Sequence, residues 1–378
     1  MLPVYLDYNA TTPVAPEVAD AIEPWLREHF GNPSSTHPYG VKAKQAVEQG
    51  RAEVASLIGA QPEEIVFTGC ASEANNLAIQ GVAQAFGAGK KHLVTSAVEH
   101  PSVMQPFLKL REAGWEVTVL PVDAFGQVSP AAVADALRPD TALVSVMHAN
   151  NEIGTLQPIA EIAALTRARG IPLHTDAAQS AGKVAVNVDE LGADLLTLAG
   201  HKFYAPKGIG ALYVRRGTPL SPVNVGAGHE HGLRPGTENV AFIAGLGAAA
   251  RLARLDLMET EEKLRALRDR LHGLLAADIP GLALNGHPEA RLPNTLNLSF
   301  PGVSGHALLE AAAADVAAST GSACHAGSQA ASGVLGAMGL SAERAAGAVR
   351  LSVGRYTSES EVDWAAAALV AAWRQLRS

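Results

Sequence analysis

Short apolar runs alternate with stretches of helical spacing through the first 214 residues of the chain. Seven runs, each bounded by polar or glycine-rich segments, lie at 65–68, 92–95, 117–121, 143–147, 171–176, 195–198 and 211–214. Between the runs, apolar residues recur every three or four positions, as on one face of a helix. Strands separated by helices indicate parallel pairing with helices on both faces of the sheet. The pattern therefore predicts an α/β fold around a mostly parallel central sheet.

The segments before and after this alternation follow other patterns. Two helical stretches, 17–29 and 39–58, precede the first run. After Arg215 the alternation stops, and a long helical region at 241–277 leads into mixed short helices and strands. We predict two domains, a large α/β domain at 13–250 and a smaller α+β domain made of 1–12 and 251–378.

Composition and charge narrow the class of protein. The 378 residues are 48% hydrophobic and 17% charged, with a net charge of −8 and no basic block, so nothing indicates direct nucleic-acid binding. The opening residues lack a basic and apolar leader, and no apolar run approaches the ~20 residues of a membrane span. We therefore expect a cytoplasmic protein with no membrane partner. The only cysteines, Cys70 and Cys324, are too few for a disulfide framework.

Lys202 lies in a glycine-flanked turn between two predicted strands, and Asp176 ends the run before them, 26 residues earlier (202 − 176). In open α/β sheets ligands bind beyond the carboxyl ends of the strands, so both side chains can face one crevice. Pyridoxal 5′-phosphate chemistry uses such a pair, because the lysine holds the cofactor as a Schiff base and the carboxylate keeps the pyridine nitrogen protonated. Either residue alone is explained more simply as a solvated loop lysine or a turn aspartate. The pair in this context favours the cofactor.

Six motifs extend over nearly the whole chain. They are Tyr5-Leu-Asp-Tyr-Asn-Ala-Thr-Thr12, Phe30-Gly-Asn-Pro-Ser-Ser35, Asp176-Ala-Ala-Gln179, Gly200-His-Lys202, Arg234-Pro-Gly-Thr-Glu-Asn239 and Thr320-Gly-Ser-Ala-Cys-His325. Together and in this order they resemble the cysteine desulfurases and the closely related selenocysteine lyases, which share the class V aminotransferase fold. The resemblance implies a pyridoxal phosphate-dependent transferase of fold type I that acts as a homodimer.

The resemblance assigns the residues around the cofactor phosphate. Ala71 and Ser72 begin a helix whose free backbone N–H groups form an anion site; Ser72 is also explained simply as the N-cap of that helix. Relatives usually carry a serine at the position of Ala199, so a phosphate hydrogen bond is either missing here or supplied by His201. The position of Thr237 matches a threonine that reaches the phosphate in the partner subunit.

Further positions match residues that contact the cofactor ring and the substrate. His100 corresponds to a histidine that stacks on the ring and shuttles protons, a role suited to a pKa near neutrality. Asn151 and Gln179 match side chains that hydrogen-bond the cofactor's O3′ region, and Asn151 also borders the substrate. Arg350 matches the arginine that binds the substrate carboxylate, for which a planar guanidinium is suited. Arg355 is a nearby rival for that role.

Cys324 is the candidate nucleophile. It lies in a run of small residues without apolar periodicity, so we expect a mobile loop that lets the thiol visit the substrate and then an acceptor. The resemblance implies that L-cysteine binds at the cofactor and that Lys202 moves its Cα proton. Cys324 then attacks the substrate sulfur, leaving a persulfide on Cys324 and L-alanine. No metal is expected: the histidines of His229-Glu-His231, two positions apart, are a weak metal signal.

Three other functions stay open on sequence alone. A selenocysteine lyase, releasing selenide and alanine, has the same fold and cofactor. A cysteine-dependent hydrolase leaves Lys202 and Asp176 unexplained, and a non-catalytic sulfur carrier or scaffold requires that Lys202 hold no cofactor. The sequence does not identify the sulfur acceptor, which the resemblance places among iron–sulfur cluster scaffolds, thiolation enzymes and similar proteins.

Overall fold

A computed structural model describes residues 2–87, 89–320 and 332–377 of the chain. Its strands are β1 (Val4–Tyr5), β2 (Ile65–Thr68), β3 (His92–Ser96), β4 (Glu116–Leu120), β5 (Thr141–Ser145), β6 (Leu173–Asp176), β7 (Leu195–Ala199), β8 (Gly210–Val214), β9 (Ala283–Asn285), β10 (Thr295–Ser299), β11 (Val316–Ala317) and β12 (Ala348–Ser352). All seven predicted runs of the first 214 residues are strands, with ends that differ by two residues at most.

Helices occupy most of the sequence between the strands. They are α1 (Pro16–Arg27), α2 (Pro38–Ile58), α3 (Ala71–Phe86), α4 (Pro101–Glu112), α5 (Pro130–Ala136), α6 (Ile159–Arg167), α7 (Val188–Leu191), α8 (Val240–Leu255), α9 (Leu257–Asp278), α10 (Gly305–Ala311), α11 (Gly333–Ala337), α12 (Ala342–Ala346) and α13 (Glu359–Arg377). Gly59 ends α2 as predicted, with a left-handed φ of 70° that glycine adopts without steric cost. The helix predicted at 241–277 is instead two helices, α8 and α9, separated by Asp256.

The central sheet has seven strands in the order β2-β8-β7-β6-β5-β3-β4. Pairing is parallel from β7 through β4, whereas β8 runs antiparallel to both of its neighbours. Only ten residues, 200–209, separate β7 from β8, which is shorter than the dozen or more that a parallel crossover needs. The prediction of a mostly parallel sheet is confirmed, with β8 as the exception.

Helices cover both faces of this sheet. Leu195 of β7 packs in the apolar cluster that includes α3 and α4, whereas its neighbour Leu196 packs in the cluster with α1, α2 and α8. Successive side chains of a strand point to opposite faces, so β7 is buried from both sides. The α/β layering is therefore the one expected from the sequence.

The C-terminal part builds a separate apolar cluster. It packs α9, α10 and α13 against the antiparallel sheet β12-β10-β9, and Leu6 from the N-terminus lies within it. The strand β1 pairs in parallel with β11, which ties the N-terminal residues to this part of the chain. The division into two domains near residue 250 stays a prediction. Within the described residues, no helix is both long and apolar enough to cross a membrane.

Candidate active site

The carboxyl ends of the parallel strands bring the predicted site residues together. Asp176 is the last residue of β6, Lys202 lies three residues after β7, and His100 lies four residues after β3. Lys202 Nζ donates hydrogen bonds to the backbone carbonyls of Asn9, at 2.5 Å, and Ala10, at 2.9 Å. The lysine is therefore held against the N-terminal segment at the carboxyl end of the parallel strands.

Asp176 is buried, with 6% of its surface exposed, and both of its carboxylate oxygens accept hydrogen bonds. Oδ1 accepts from the backbone N–H of Ala178 at 2.9 Å, and Oδ2 accepts from Nδ2 of Asn75 at 2.8 Å. Asn75 lies one turn into α3 and is fully buried. Two donors from different elements thus fix the plane of the carboxylate.

His100 caps the N-terminus of α4, where its Nδ1 accepts from the backbone N–H of Ser102 at 3.1 Å. Burial lowers its pKa below the ordinary value; the charge of Asp176 acts to raise the pKa and that of Lys202 to lower it. Since both charges act on the imidazole, His100, Asp176 and Lys202 share one site. Their roles toward a cofactor stay predictions.

The start of α3 has the free backbone N–H groups that the predicted anion site, here called the cradle, requires. Among the hydrogen bonds of the described residues, none engages the backbone N–H of Ala71 or Ser72. The N-cap is not Ser72 but Cys70, whose Sγ accepts from the backbone N–H of Glu73 at 3.4 Å. The simpler explanation of Ser72 as a cap is therefore wrong, and its exposed hydroxyl is available to an anion.

A glycine lets the sheet approach this cradle. A Cβ added to Gly210, the first residue of β8, would lie 2.8 Å from the carbonyl carbon of Cys70 and 3.0 Å from the backbone nitrogen of Ala71. Any larger residue there would push the start of α3 away from the end of β7. The start of α3 therefore packs directly on Gly210, which pairs with Ala199 at the end of β7.

Gln179 is joined to Lys202 through a shared acceptor. Its Nε2 donates to the carbonyl of Asn9 at 3.0 Å, the same oxygen that accepts from Lys202. Its Oε1 accepts from Nζ of the buried Lys183 at 3.1 Å. Burial, with the charges of Lys202 and Arg350 adding to it, lowers the pKa of Lys183 to about 7.

His201 lies beside the lysine with its imidazole turned to the N-terminal segment. Its Nδ1 lies 3.2 Å from Oγ1 of Thr11, and its carbonyl accepts from the backbone N–H of Thr12 at 3.0 Å. Burial and the charge of Lys202 lower its pKa to about 4, so the ring is neutral at neutral pH.

Arg350 is held at the border between the central sheet and the C-terminal part. Its Nη2 donates to Oδ1 of Asp7 at 2.7 Å, and its Nη1 donates to the carbonyl of Asn151 at 3.1 Å. Its Nε is buried without a partner among the described residues. The rival Arg355 is instead paired with Asp256 at 2.6 Å. Both arginines are ion-paired, but the hydrogen bond of Arg350 to Asn151, another predicted substrate residue, makes Arg350 the better candidate for a carboxylate site.

Two predicted site residues are not placed in this cluster. Thr237 is exposed in the loop before α8, and no hydrogen bond of the described residues joins it to Lys202 or Asp176. Cys324 lies outside the described residues. The segment that leads to Cys324 lies next to the site as far as the structure describes it. Its Ser319 pairs with Arg350 through backbone hydrogen bonds of 2.7 and 3.4 Å. Both assignments stay predictions.

Similar proteins of known family identify the family of this chain. The family model described as Aminotransferase class-V matches residues 4–364. A cysteine desulfurase, IscS of Dictyoglomus turgidum, is 47% identical over 362 residues, which is 96% of this chain and 92% of the relative. The chain belongs to the cysteine desulfurases of the class V aminotransferase family.

Solved structures of similar proteins have the same fold as this desulfurase. A NifS-like protein superposes with a TM-score of 0.92 at 35% identity, covering 98% of this chain and 99% of the other. SspA in complex with cysteine superposes with a TM-score of 0.83 at 39% identity, covering 94% and 99%. The predicted fold class and enzyme class are confirmed.

Several residues of the site were missed by sequence reasoning. They are Asp7, Asn9, Asn75, Ser102 and Lys183. Asp7 and Asn9 stood in a quoted motif without a role. Asn75 follows the predicted phosphate residues on α3, where its position one turn from the N-terminus was the only available signal. Lys183 carried no signal, because a lysine four residues after Gln179 is usually solvated.

Proposed function

We propose that this desulfurase binds pyridoxal 5′-phosphate at the carboxyl end of the parallel strands. It converts L-cysteine to L-alanine and leaves a persulfide on Cys324. The observation that carries the proposal is the meeting of Lys202, Asp176 and His100 beside the free N–H groups of α3. A lysine amine, a buried carboxylate and an anion cradle fit the aldehyde, ring nitrogen and phosphate of this cofactor.

Each residue then has a defined task. Lys202 binds the aldehyde, Asp176 faces the ring nitrogen, and Ala71 and Ser72 hold the phosphate, with His201 and Gln179 beside the ring. When bound, the ring accepts the electron pair released at the substrate Cα. Arg350, aided by Asn151, binds the substrate carboxylate, and the Lys202 amine holds the Cα proton.

Sulfur transfer belongs to Cys324. Its thiolate attacks the sulfur of L-cysteine, a sulfur–sulfur bond forms and the carbon–sulfur bond breaks. The electron pair stays with the carbon, which is protonated and becomes the methyl group of alanine. The persulfide then passes to an acceptor protein, such as an iron–sulfur scaffold or a thiolation enzyme.

Alanine release from L-cysteine and from L-selenocysteine tests the function. Turnover of cysteine that is lost in Cys324→Ala but kept in Cys70→Ser supports the proposal, and Cys70→Ser retains an acceptor for the helix cap. Turnover of selenocysteine alone, indifferent to Cys324, would instead identify a selenocysteine lyase. Borohydride reduction followed by mass spectrometry should locate the cofactor on Lys202; an unmodified Lys202 in an inactive protein favours a non-catalytic carrier.

We infer further that the enzyme is a homodimer in which Thr237 completes the partner's phosphate site. Thr237 is exposed on the loop that precedes α8. The start of this loop is anchored by the ion pair between Glu230 and Arg51. Mixed dimers of Lys202→Ala and Thr237→Ala chains should regain part of the activity that each homodimer lacks, since one site per mixed dimer is intact. Mixtures no more active than their components would contradict shared sites.

A further inference from the structure

The hydrogen bonds around His100 fix where its proton lies. The backbone N–H of Ser102 donates to Nδ1 at 3.1 Å, and the Ser102 hydroxyl oxygen lies 2.8 Å from the same nitrogen. A backbone N–H is always a donor, so Nδ1 must offer its lone pair. In a neutral imidazole the single proton is then on Nε2.

Asn75 determines the direction of the hydroxyl hydrogen bond. Its Nδ2 donates one hydrogen to Oδ2 of Asp176 and the other to Oγ of Ser102, both at 2.8 Å. An ionised carboxylate only accepts, so the amide nitrogen must face Asp176. Ser102 Oγ accepts from Asn75, and because Nδ1 of His100 carries no proton, the hydroxyl proton points to Nδ1 and shares its lone pair with the backbone N–H.

This arrangement has no ready alternative. Asn75 is fully buried, and its Oδ1 has no partner among the described residues, so turning the amide over would set oxygen against the Asp176 carboxylate. Protonating His100 at Nδ1 would set an N–H against the backbone N–H of Ser102. The imidazolium is therefore disfavoured by the surroundings as well as by burial.

We propose that Asn75 and Ser102 are positioning residues that hold His100 as the neutral imidazole with its proton on Nε2. His100 then acts toward the substrate as a hydrogen-bond donor and not as a proton shuttle. A neutral histidine used in this way polarises a group on the substrate without accepting a proton from it. The same two residues tie the orientation of His100 to that of Asp176. The catalytic consequence rests on the proposed function, whereas the position of the proton does not.

Long-range 1H–15N correlation spectra of the 15N-histidine-labelled holoenzyme test the tautomer directly. The signals of His100 are those lost in His100→Gln. The expected result is an unprotonated Nδ1 and a protonated Nε2 between about pH 6 and pH 8, without conversion to the imidazolium near the usual pKa of about 6.5. A proton on Nδ1, or an imidazolium in that range, would overturn the proposal whether or not cysteine is turned over.

Substitution of Ser102 tests how the tautomer is held. Ser102→Ala should move the Nδ1 signal, bring His100 titration toward its usual range and lower kcat about tenfold, the effect of one ordinary hydrogen bond. Ser102→Thr keeps a hydroxyl and should restore both. The signals of His174, whose Nδ1 lies 2.8 Å from Ser145 Oγ, serve as the internal control. Unchanged His100 signals in Ser102→Ala would show that the hydroxyl does not hold the ring.

Discussion

Two buried clusters of charged side chains lie in the large sheet and its surroundings, and they differ in how completely their polar atoms are paired. In the first, Arg51 and Glu230 form a bidentate pair at 2.8 and 2.9 Å, with 4% and 2% of their side chains exposed. Glu230 also accepts from the backbone N–H of Phe67 at 2.7 Å, and Arg51 donates to the carbonyl of Ile65. Burial acts to lower the pKa of Arg51, but the bonds and charge of Glu230 outweigh it and raise the pKa.

The second cluster is the candidate active site, and its pairing is incomplete. Asn75 Oδ1, Arg350 Nε and Oε2 of Glu99, the residue directly before His100, are buried without partners among the described residues. Lys183 is buried near the charge of Lys202, and burial lowers its pKa. Removing one member of a fully paired buried ion pair is strongly destabilising, whereas buried groups with shifted pKa values or unpaired polar atoms are candidates for ligand binding or catalysis. The first cluster anchors a loop, and the second has the features expected of the proposed active site.

Removing a charge from the active-site cluster should abolish activity and leave stability almost unchanged. Lys202→Ala should lower the rate of alanine formation by ~10³-fold or more, because covalent binding and proton transfer both need the amine. Its unfolding midpoint in urea should stay near that of the wild type. Lys207→Ala, at an exposed lysine of the same turn, is the matched control and should keep its activity. A large loss of stability in Lys202→Ala would contradict the expectation that this cluster contributes to activity and not to stability.

Removing a charge from the paired cluster should have the opposite effect. Glu230→Ala leaves Arg51 buried without its partner and should lower the free energy of unfolding by about 3–5 kcal/mol, measured by urea denaturation. Glu48→Ala removes the half-exposed carboxylate that also contacts Arg51, at 3.2 Å, and should cost less than about 1 kcal/mol. Equal losses in the two variants would mean that burial of the pair contributes nothing.

The sequence predicted the fold well where burial and hydropathy coincide. The run at 65–68 matches β2, which is buried throughout. The strand β5 begins two residues before the predicted run at 143–147, because Thr141 is a buried polar residue that pairs with His92 at 2.8 Å. Hydropathy counts such residues as loop, whereas hydrogen bonding lets them occupy a strand.

The active site was predictable only where chemistry marks a single residue. Lys202 and Asp176 stand at strand ends and have residue types that one cofactor requires. Asn75 lies 101 residues from Asp176 and Asn9 lies 193 residues from Lys202, so only the fold brings these pairs together. Their roles depend on distance and angle, which no local pattern of sequence records.

Glu99 allows the incomplete pairing to be measured through pH. Burial is the main reason that its pKa rises from 4.5 to about 8. Hydrogen bonds from Ser96 and Met147 act to lower the pKa, and the charge of Asp176 raises it by a smaller amount. Between those two pKa values the folded protein keeps a proton that the unfolded chain has lost. Stability contributed by this group therefore falls as pH rises, by roughly 1.4 kcal/mol per pH unit, and levels off above pH 8.

Glu99→Gln removes this dependence, because the amide resembles the neutral acid. The difference in free energy of unfolding between Glu99→Gln and the wild type should shift in favour of the variant as pH rises from about 5 to 8. Glu63→Gln, at an exposed glutamate, should show no such trend. A constant difference across this range would mean that Glu99 is ionised in the folded protein.

Cys70 lies between the two clusters and should have the smallest effect. Cys70 caps α3. In the first turn of that helix, Glu73 accepts a hydrogen bond from Arg234 at 2.8 Å, and this bond joins the helix to the loop that Glu230 anchors. Sulfur is a weak acceptor, and its contact with the Glu73 N–H is 3.4 Å long. Cys70→Ser should therefore raise the free energy of unfolding by about 0.5–1 kcal/mol, and Cys70→Ala should lower it by no more than that. If the order of the two variants in thermal denaturation were reversed, side-chain capping would not set the start of α3, and the close approach of Gly210 would remain as the element that positions the cradle.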